Sequence, residues 1–394
     1  MSLRLFKPIA LVLGLLFVAA GVGAATSPSG TTAPSSRALQ LGIYDDSQVF
    51  GHPTRAFPLF KALHVPVLRV NLHWGGAPLA IATHRPADPS DPADPAYNWP
   101  PFDEAVKRAA EAHIKLIATI VGTPDWANGG RARYYPPKNP NDLKQFAIAA
   151  AKRYSGDFTP SYADEPLPAI RYWLAWNEPN NPVFLRPQFK KAGKRYVVAS
   201  AAIYAKICNA VVTGVHSTGL SGEKVACGAT APRGNNSGKN IRPSVTPLVF
   251  LRALKKAGAH FDVYAHHPYY SGPSESPSTP PKGRKAGAVT LGNIGDLLAE
   301  LKKLYGAGKH LWITEYGYQT RPPDGIFGVS YALQAKYLAQ AYALVRKNPR
   351  IDMLIWFLLR DDPRVQPGWQ SGLMSASGKK KPAFATFGRL ERHH

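Results

Sequence analysis

The strongest constraint on the fold is an alternation along the chain of short apolar, β-rich runs with amphipathic helical stretches. This alternation predicts repeated β/α units in a parallel sheet, because near-continuous apolar runs are typical of strands covered on both faces. Eight such runs are found, at residues 41–44, 66–73, 115–121, 170–176, 225–229, 261–266, 311–316 and 353–359. They favour an α/β fold with a single closed (β/α)8 barrel. An open doubly wound sheet would place a glycine-rich turn after its first strand, where this chain has Asp45-Asp46-Ser47.

Helices are predicted between the runs, at 102–112, 142–153, 189–212, 246–256, 292–304 and 330–346, with a final short helix at 382–390. Long connections follow the carboxyl ends of several strands, at 75–101, 122–141, 232–244 and 269–290. Barrel enzymes place their active sites at this face, so we expect the substrate cleft there. Residues 37–394 contain no convincing linker and are predicted to form one catalytic domain.

The amino-terminal segment 1–24 is typical of a secretory signal peptide. It carries Arg4 and Lys7, then an apolar run over 8–22, and small residues that end at Ala24. The apolar run is shorter than the roughly 20 residues that a bilayer span needs, although an uncleaved anchor remains the alternative. The Ser/Thr/Pro-rich stretch 25–36 predicts a flexible linker. We therefore expect a secreted or cell-envelope-associated protein.

The chain is strongly basic, with a formal net charge of +23. The basic clusters at 190–191, 194–195, 282–285 and 379–381 are scattered along the sequence, which favours a solvated surface. Association with an anionic cell envelope or an acidic polysaccharide is the alternative. No nucleic-acid-binding motif accompanies the charge, so no nucleic-acid partner is expected.

Two cysteines, Cys208 and Cys227, are the only thiols. Export would allow one disulfide between them, and two separate buried thiols are an equally good interpretation. Two cysteines without histidines at ligand spacing do not form a zinc pattern, so neither interpretation implies a metal site.

Two glutamates stand at the carboxyl ends of predicted strands in apolar, aromatic surroundings. Glu178 lies in the segment 176–180 (WNEPN) after the fourth strand, and Glu315 lies in 312–317 (WITEYG) on the seventh. A carboxylate in such surroundings costs stability unless it is paired or used. In a closed barrel the two can face each other across the mouth. Glycoside cleavage requires such a pair, one acid for the leaving oxygen and one base or nucleophile on the other side of the sugar.

With these motifs the chain resembles the clan A glycoside hydrolases, retaining barrel enzymes that include families 5, 39 and 51. The NEP segment 177–179 resembles their strand-four acid/base motif, and the TEYG segment 314–317 resembles their strand-seven nucleophile. The resemblance implies that Glu178 is the acid/base and Glu315 the nucleophile. An ionised Glu315 is then expected to raise the pKa of Glu178 and keep it protonated until it donates.

The resemblance also implies roles for substrate-binding residues. Arg69 would hold the nucleophile ionised or act as a structural ion-pair partner, and Asn177 would bind the sugar 2-hydroxyl. His267 and Tyr269 resemble the strand-six polar pair, and Trp356 resembles the strand-eight tryptophan of the central sugar subsite. The resemblance favours His267 over its neighbour as the residue in the cleft. Three further tryptophans near strand ends are left open between core and cleft: Trp74, Trp126 and Trp176.

The sequence therefore predicts a secreted retaining O-glycoside hydrolase that needs no cofactor and cleaves an extracellular poly- or oligosaccharide by double displacement. Its two carboxyl groups are expected about 5 to 5.5 Å apart. The alternative is a non-catalytic carbohydrate-binding or cell-envelope-associated barrel protein. The long loops favour an extended groove but could equally close a pocket, so endo or exo action stays open. The sugar, its linkage and the oligomeric state are open as well.

Overall fold

The protein is described from a computed structural model that covers residues 39–76, 78–283 and 287–392. The predicted signal peptide (1–24) and linker (25–36) lie outside the described residues, as does part of the basic cluster 282–285. They stay predictions. Within the described part of the chain, no helix combines the length and the apolar character needed to cross a membrane.

Eight parallel strands close into a barrel, with two further strands in a separate hairpin. The strands are β1 (Gln40–Tyr44), β2 (Val67–His73), β3 (Lys115–Val121), β4 (Tyr172–Ala175), β5 (Phe189–Ala192), β6 (Arg195–Val198), β7 (Lys224–Thr230), β8 (Val263–His266), β9 (His310–Tyr316) and β10 (Ile351–Phe357). The barrel order is β1-β10-β9-β8-β7-β4-β3-β2, and β1 closes the ring on β2 with Ile43 opposite Leu68. This confirms the predicted (β/α)8 barrel and all eight predicted runs, each within two residues at either end.

The helices lie outside the barrel strands, as in other (β/α)8 barrels. They are α1 (Asp46–Gly51), α2 (Pro53–Ala62), α3 (Pro100–Glu111), α4 (Asp125–Asn128), α5 (Pro140–Arg153), α6 (Ser200–His216), α7 (Pro247–Lys256), α8 (Ile294–Tyr305), α9 (Tyr331–Arg346) and α10 (Pro382–Arg392), with a 3-10 helix at Leu291–Asn293. Five of them begin with proline in the first turn, where the missing N–H costs no intrahelical hydrogen bond: α2, α3, α5, α7 and α10.

Two apolar cores follow from the alternation of side chains along the strands. Inside the barrel, Val67, Ile117, Leu174 and Ile355 are fully buried and pack on Trp312. The intervening strand residues point outward into a larger core against the helices. The barrel interior is thus filled with side chains, so a substrate can bind only at an end of the barrel.

The predicted helix 189–212 is wrong in nearly its first half. Residues Phe189–Ala192 and Arg195–Val198 form the antiparallel hairpin β5–β6, and α6 begins only at Ser200. Gly193 in the turn has φ +60°, a conformation that suits glycine and ends any continuous helix. The β-branched pair Val197-Val198 favours the strand.

The two cysteines are joined by a disulfide between α6 and β7. The Cα atoms of Cys208 and Cys227 lie 5.9 Å apart. The structure therefore selects the disulfide from the two interpretations that the sequence left open. The bond ties a helix of the outer layer directly to a barrel strand.

Candidate active site

Glu178 and Glu315 meet at the carboxyl end of the barrel. Glu178 follows β4, and Glu315 is the penultimate residue of β9. One carboxylate oxygen of each, together with a ring nitrogen of His267, lie within 4.8 Å of one another. Both glutamates are largely buried, with side-chain exposures of 12% and 11%. The structure thus brings the two sequence-predicted carboxylates together across the barrel mouth.

The backbone turns sharply where it delivers Glu178. Trp176 and Glu178 have φ angles of +67° and +38°, values that residues other than glycine rarely adopt. The main chain is held there because the Glu178 N–H donates to the carbonyl of Ala229 and the Trp176 N–H donates to the carbonyl of Ile120. Such strain costs of order 1–3 kcal/mol per residue and is concentrated at functional sites.

Glu178 is surrounded by donors but shielded from water. Asn181 Nδ2 donates to its Oε2 at 2.9 Å, and His267 Nδ1 lies 3.1 Å from its Oε1. Burial raises the pKa of Glu178 to about 7, against the opposing effects of the Asn181 hydrogen bond and the charges of Arg69 and Arg233. The sequence argument attributed the raised pKa to the charge of Glu315. The main cause is instead removal of the carboxyl from water.

Glu315 accepts hydrogen bonds from two buried side chains. Arg69 Nη1 donates to Oε2 at 3.0 Å, and the Tyr269 hydroxyl donates to Oε1 at 2.9 Å. A buried guanidinium in contact with a carboxylate stabilises the negative charge in a site of low dielectric. The two glutamates therefore have unlike surroundings, one with a paired cation and one without.

Arg69 on β2 connects the members of the site. It is fully buried, its Nη2 donates to Asn177 Oδ1 at 2.7 Å, and its Nε donates to Thr119 Oγ1 at 3.2 Å. Its guanidinium also lies 4.3 Å from the centre of the Tyr44 ring. The sequence left open whether Arg69 supports the nucleophile or is a structural ion-pair partner. Its geometry fits both, since one fork of donors reaches Glu315 and Asn177.

The two adjacent histidines have separate environments. His267 is buried in the site, where Arg69 Nη1 lies 3.3 Å from its Nε2. Because an arginine can only donate, this Nε2 accepts, so Nδ1 carries the proton and donates to Glu178. His266 lies in the barrel wall between Thr230 Oγ1 and the carbonyl of Val289. Burial lowers the pKa of both histidines to about 3, so both are neutral.

Asn177 and Tyr269 are placed at the site, but Trp356 is not. The Asn177 side-chain NH2 has no partner among the described residues, which leaves it able to donate to a ligand. Trp356 is fully buried, and its Nε1 donates to the carbonyl of Ser371 at 2.9 Å. Its prediction as a sugar-stacking residue is wrong, because Ile355 faces the barrel interior and the next residue must point outward. The following residue, Phe357, contacts the rings of Tyr44 and Trp369.

A cavity of about 540 Å³ opens beside Glu178 at the carboxyl face. It is bounded by the loops that follow β4, β7, β8, β9 and β10, which include two of the predicted long connections. Aromatic side chains contribute Tyr269, Tyr270, Phe327 and Trp369 to its lining. Trp369 is 41% exposed, and its ring centre lies 5.6 Å from that of Tyr269. Sequence reasoning missed Trp369, although a tryptophan in a polar Pro/Gly loop is itself a signal for a binding residue.

The three tryptophans left open by the sequence belong to the core. Trp74 and Trp176 are fully buried. Trp126 is half-buried and packs edge-on against Trp74, with ring centres 5.7 Å apart. None of these three lines the cavity beside Glu178.

Glu178, His267 and Glu315 are also the described residues whose ligand-type atoms could in principle surround a metal ion. Arg69 argues against such a use. Its Nη1 lies 3.0 Å from Glu315 and 3.3 Å from His267, so a bound cation would face a guanidinium and compete for the same lone pairs. The donor set fits proton transfer and sugar binding better than metal binding.

No protein-family model matches the sequence, and no curated protein matches it either. Solved structures do match. A family 39 glycoside hydrolase from Bacteroides cellulosilyticus WH2 superposes with a TM-score of 0.61 at 18% identity, over 90% of this chain and 64% of that one. A glucosidase from Croceicoccus marinus gives 0.63 at 16%, over 90% and 66%. A fungal β-1,4-galactanase gives 0.53 at 16%, over 89% and 100%.

This chain shares its (β/α)8 barrel fold with these glycoside hydrolases. The structural neighbours confirm the fold implied by the clan A resemblance. The chain spans about two thirds of the length of the first two proteins. At these identities the likeness concerns the fold, and the chemistry must be argued from the site itself.

Proposed function

We propose that the protein is a secreted retaining O-glycoside hydrolase that cleaves an extracellular poly- or oligosaccharide by double displacement. The observation that carries this proposal is the opposed pair Glu178 and Glu315, with oxygens within 4.8 Å and unlike surroundings. Retaining enzymes hold their carboxyl groups about 5 to 5.5 Å apart, whereas inverting enzymes need about 6.5 to 9.5 Å to admit a water.

In the first step Glu315 attacks the anomeric carbon as a carboxylate. Glu178 transfers its proton to the glycosidic oxygen as the carbon–oxygen bond breaks, so the leaving group departs as a neutral alcohol. A pKa of about 7 keeps Glu178 protonated in mildly acidic to neutral solution. The product of this step is a glycosyl ester on Glu315.

In the second step Glu178 acts as a base. It takes a proton from a water molecule whose oxygen attacks the anomeric carbon, and Glu315 leaves as a carboxylate. The deprotonated Glu178 is stabilised by donors already in place, Asn181 Nδ2 and His267 Nδ1. Both carboxyl groups return to their starting protonation states.

Asn177 and Tyr269 support the reaction from fixed positions. Arg69 holds the Asn177 amide by its oxygen, so its NH2 group is directed toward the substrate and can donate to the sugar 2-hydroxyl. Such a contact is expected to strengthen in the transition state. Tyr269 holds one oxygen of Glu315 and leaves the carboxylate oriented for attack.

Export to the outside of the cell is part of the proposal. It is supported by the leader-like segment 1–24 and by the Cys208–Cys227 disulfide, since disulfides persist mainly in oxidising compartments. The basic net charge of +23 is compatible with an anionic cell envelope near the site of action.

The second candidate, a non-catalytic carbohydrate-binding or cell-envelope-associated barrel, draws on the exposed Trp369 and the basic charge. A pure binder has no need for a buried acid on a strained backbone. The test is digestion of a glycan panel by the mature protein, its Glu178→Gln and Glu315→Gln variants, and a surface control, Glu104→Gln. We expect hydrolysis by the wild type and the control only. Binding without turnover by the wild type would support the second candidate, and unchanged hydrolysis by both site variants would refute the mechanism.

A further inference from the structure

The cavity beside Glu178 carries an uneven charge. Its lining includes two cations, Arg233 and Arg242, and one ionisable acid, Glu178 itself. When Glu178 is protonated, as the proposed first step requires, the lining has two positive charges and no negative one. A neutral sugar does not need such a lining.

Neither arginine is neutralised by the protein. Arg233 and Arg242 form no ion pair and no side-chain hydrogen bond within the described ranges, and both are exposed to the cavity. Other surface arginines do find carboxylates, as Arg85 does with Asp142 and Arg252 with Glu300. The two guanidinium groups of the cavity are therefore available to a ligand.

The loop that carries both arginines is tied to the catalytic segment. Asn180, two residues after Glu178, is fully buried, and its Nδ2 donates to the carbonyls of Ala231 and Val245, the residues at the two ends of the loop. Its Oδ1 accepts from the Ala231 N–H at 2.8 Å. A Cβ at Gly234 would clash with the carbonyl group of Val245, so the two ends of the loop pass each other closely. One asparagine thus fixes the arginine loop relative to the acid.

The cavity reaches the reaction centre most directly at the acid. Glu178 lines it, whereas Glu315, Arg69 and Asn177 do not, and the nucleophile borders it only through Tyr269, which lines the cavity and donates to Glu315. The general acid protonates the leaving oxygen, so the part of the substrate beyond that oxygen extends on its side. We propose that this cavity binds the leaving-group portion of an acidic glycan, whose carboxylate or sulfate is held by Arg233 and Arg242.

The inference rests on the proposed function and names its substrate class. Arginine suits this task because its planar fork can donate two parallel hydrogen bonds to a carboxylate or a sulfate. The net charge of +23 would also attract a polyanion to the protein from solution. Tyr270 and Trp369 in the same cavity offer aromatic faces for the sugar rings.

The experiment compares each acidic glycan with its own neutralised form. Polygalacturonate, glucuronoxylan, alginate and chondroitin sulfate are assayed beside the carboxyl-reduced or desulfated polymer, and the ratio of kcat/KM for the two forms is measured. Carboxyl reduction removes only carboxylates and desulfation removes only sulfates, so the two treatments show which anion the protein recognises. We expect the wild type to have a kcat/KM at least about tenfold higher for an acidic form than for its neutralised form. In the Arg233→Gln/Arg242→Gln double variant this ratio should be about 10- to 100-fold lower, which corresponds to the loss of one or two charge-assisted hydrogen bonds.

The matched control is Lys239→Gln, which removes one exposed charge from the same loop at a position that does not line the cavity. It should keep the wild-type ratio. A wild type that hydrolyses glycans without preferring the acidic form, or a double variant that keeps the preference, overturns the inference and leaves the proposed function standing. A wild type that hydrolyses no glycan overturns the proposed function and the inference with it.

Discussion

Replacing Glu178 by glutamine should stabilise the folded protein in alkaline solution while it abolishes hydrolysis. The folded state keeps this carboxyl protonated up to a pKa of about 7, against an ordinary value of 4.5. The unfolded chain loses the proton first, so between these values it binds fewer protons than the folded chain. Wild-type stability therefore falls as the pH rises through this window.

The shift from 4.5 to about 7 corresponds to about 3 kcal/mol, at roughly 1.36 kcal/mol per pKa unit. Glutamine has no charge to bury, so the Glu178→Gln variant escapes this loss. The free energy of unfolding of the variant minus that of the wild type should thus increase by about 3 kcal/mol between pH 4.5 and 8.5. Other buried acids, such as Asp46 with a pKa raised to about 7, are present in both proteins and cancel in the difference.

The assay is equilibrium urea unfolding followed by tryptophan fluorescence at several pH values, with the disulfide kept oxidised. Glu104→Gln serves as the control because Glu104 is exposed and forms only a surface ion pair with Arg108. Its difference from the wild type should stay within about 0.5 kcal/mol at every pH. A Glu178→Gln difference that does not change with pH, or that shrinks as the pH rises, would refute the argument that burial controls this acid.

Three further predictions follow from other contacts in the structure. Asn181→Ala removes a donor to ionised Glu178 and should move the alkaline limb of kcat/KM to higher pH by about one unit, measured with a substrate whose leaving group needs protonation; an unmoved limb would contradict this. Cys208→Ser should lower the free energy of unfolding by about 3 kcal/mol, and equal urea midpoints would argue against the disulfide. Trp369→Ala should raise KM about tenfold at unchanged melting temperature, whereas Trp356→Ala should cost about 3–5 kcal/mol of stability; the reverse pattern would restore Trp356 to the cleft.

Strand prediction succeeded because buried parallel strands have a direct sequence signature. The runs at 115–121 and 311–316 are apolar nearly throughout, and both match strands almost residue for residue. Position along the chain then placed Glu178 and Glu315 at the same end of the barrel. The hairpin Phe189–Val198 was missed because a lysine-rich segment with a single glycine resembles the start of the helix that follows it.

Side-chain direction was harder to predict than the position of a strand. Trp356 was assigned to the cleft by resemblance, while the alternation along β10 puts Met353 and Ile355 inside the barrel and Trp356 outside. The alternation of side chains along a strand would have predicted that Phe357, and not Trp356, lies on the inner face with Ile355. Trp369 lies on a loop with no period at all, and its approach to Tyr269 depends on tertiary folding.

The cause of the raised pKa of Glu178 was also beyond the sequence. Apolar neighbours in WNEPN indicate that Glu178 is buried. How far it is buried, and that Arg69 forms its ion pair with Glu315, depend on the tertiary structure. The same holds for Arg233 and Arg242, which were two of many scattered basic residues until the loop around them was placed beside the acid. Secretion through segment 1–24 stays a prediction.

The central claim, double displacement between Glu178 and Glu315, is tested most directly by the configuration of the first product. Hydrolysis of a substrate identified in the glycan panel can be followed by proton NMR before the released sugar mutarotates. Because each of the two displacements inverts the anomeric carbon, the account predicts a product with the same anomeric configuration as the substrate. A first product of inverted configuration would contradict it.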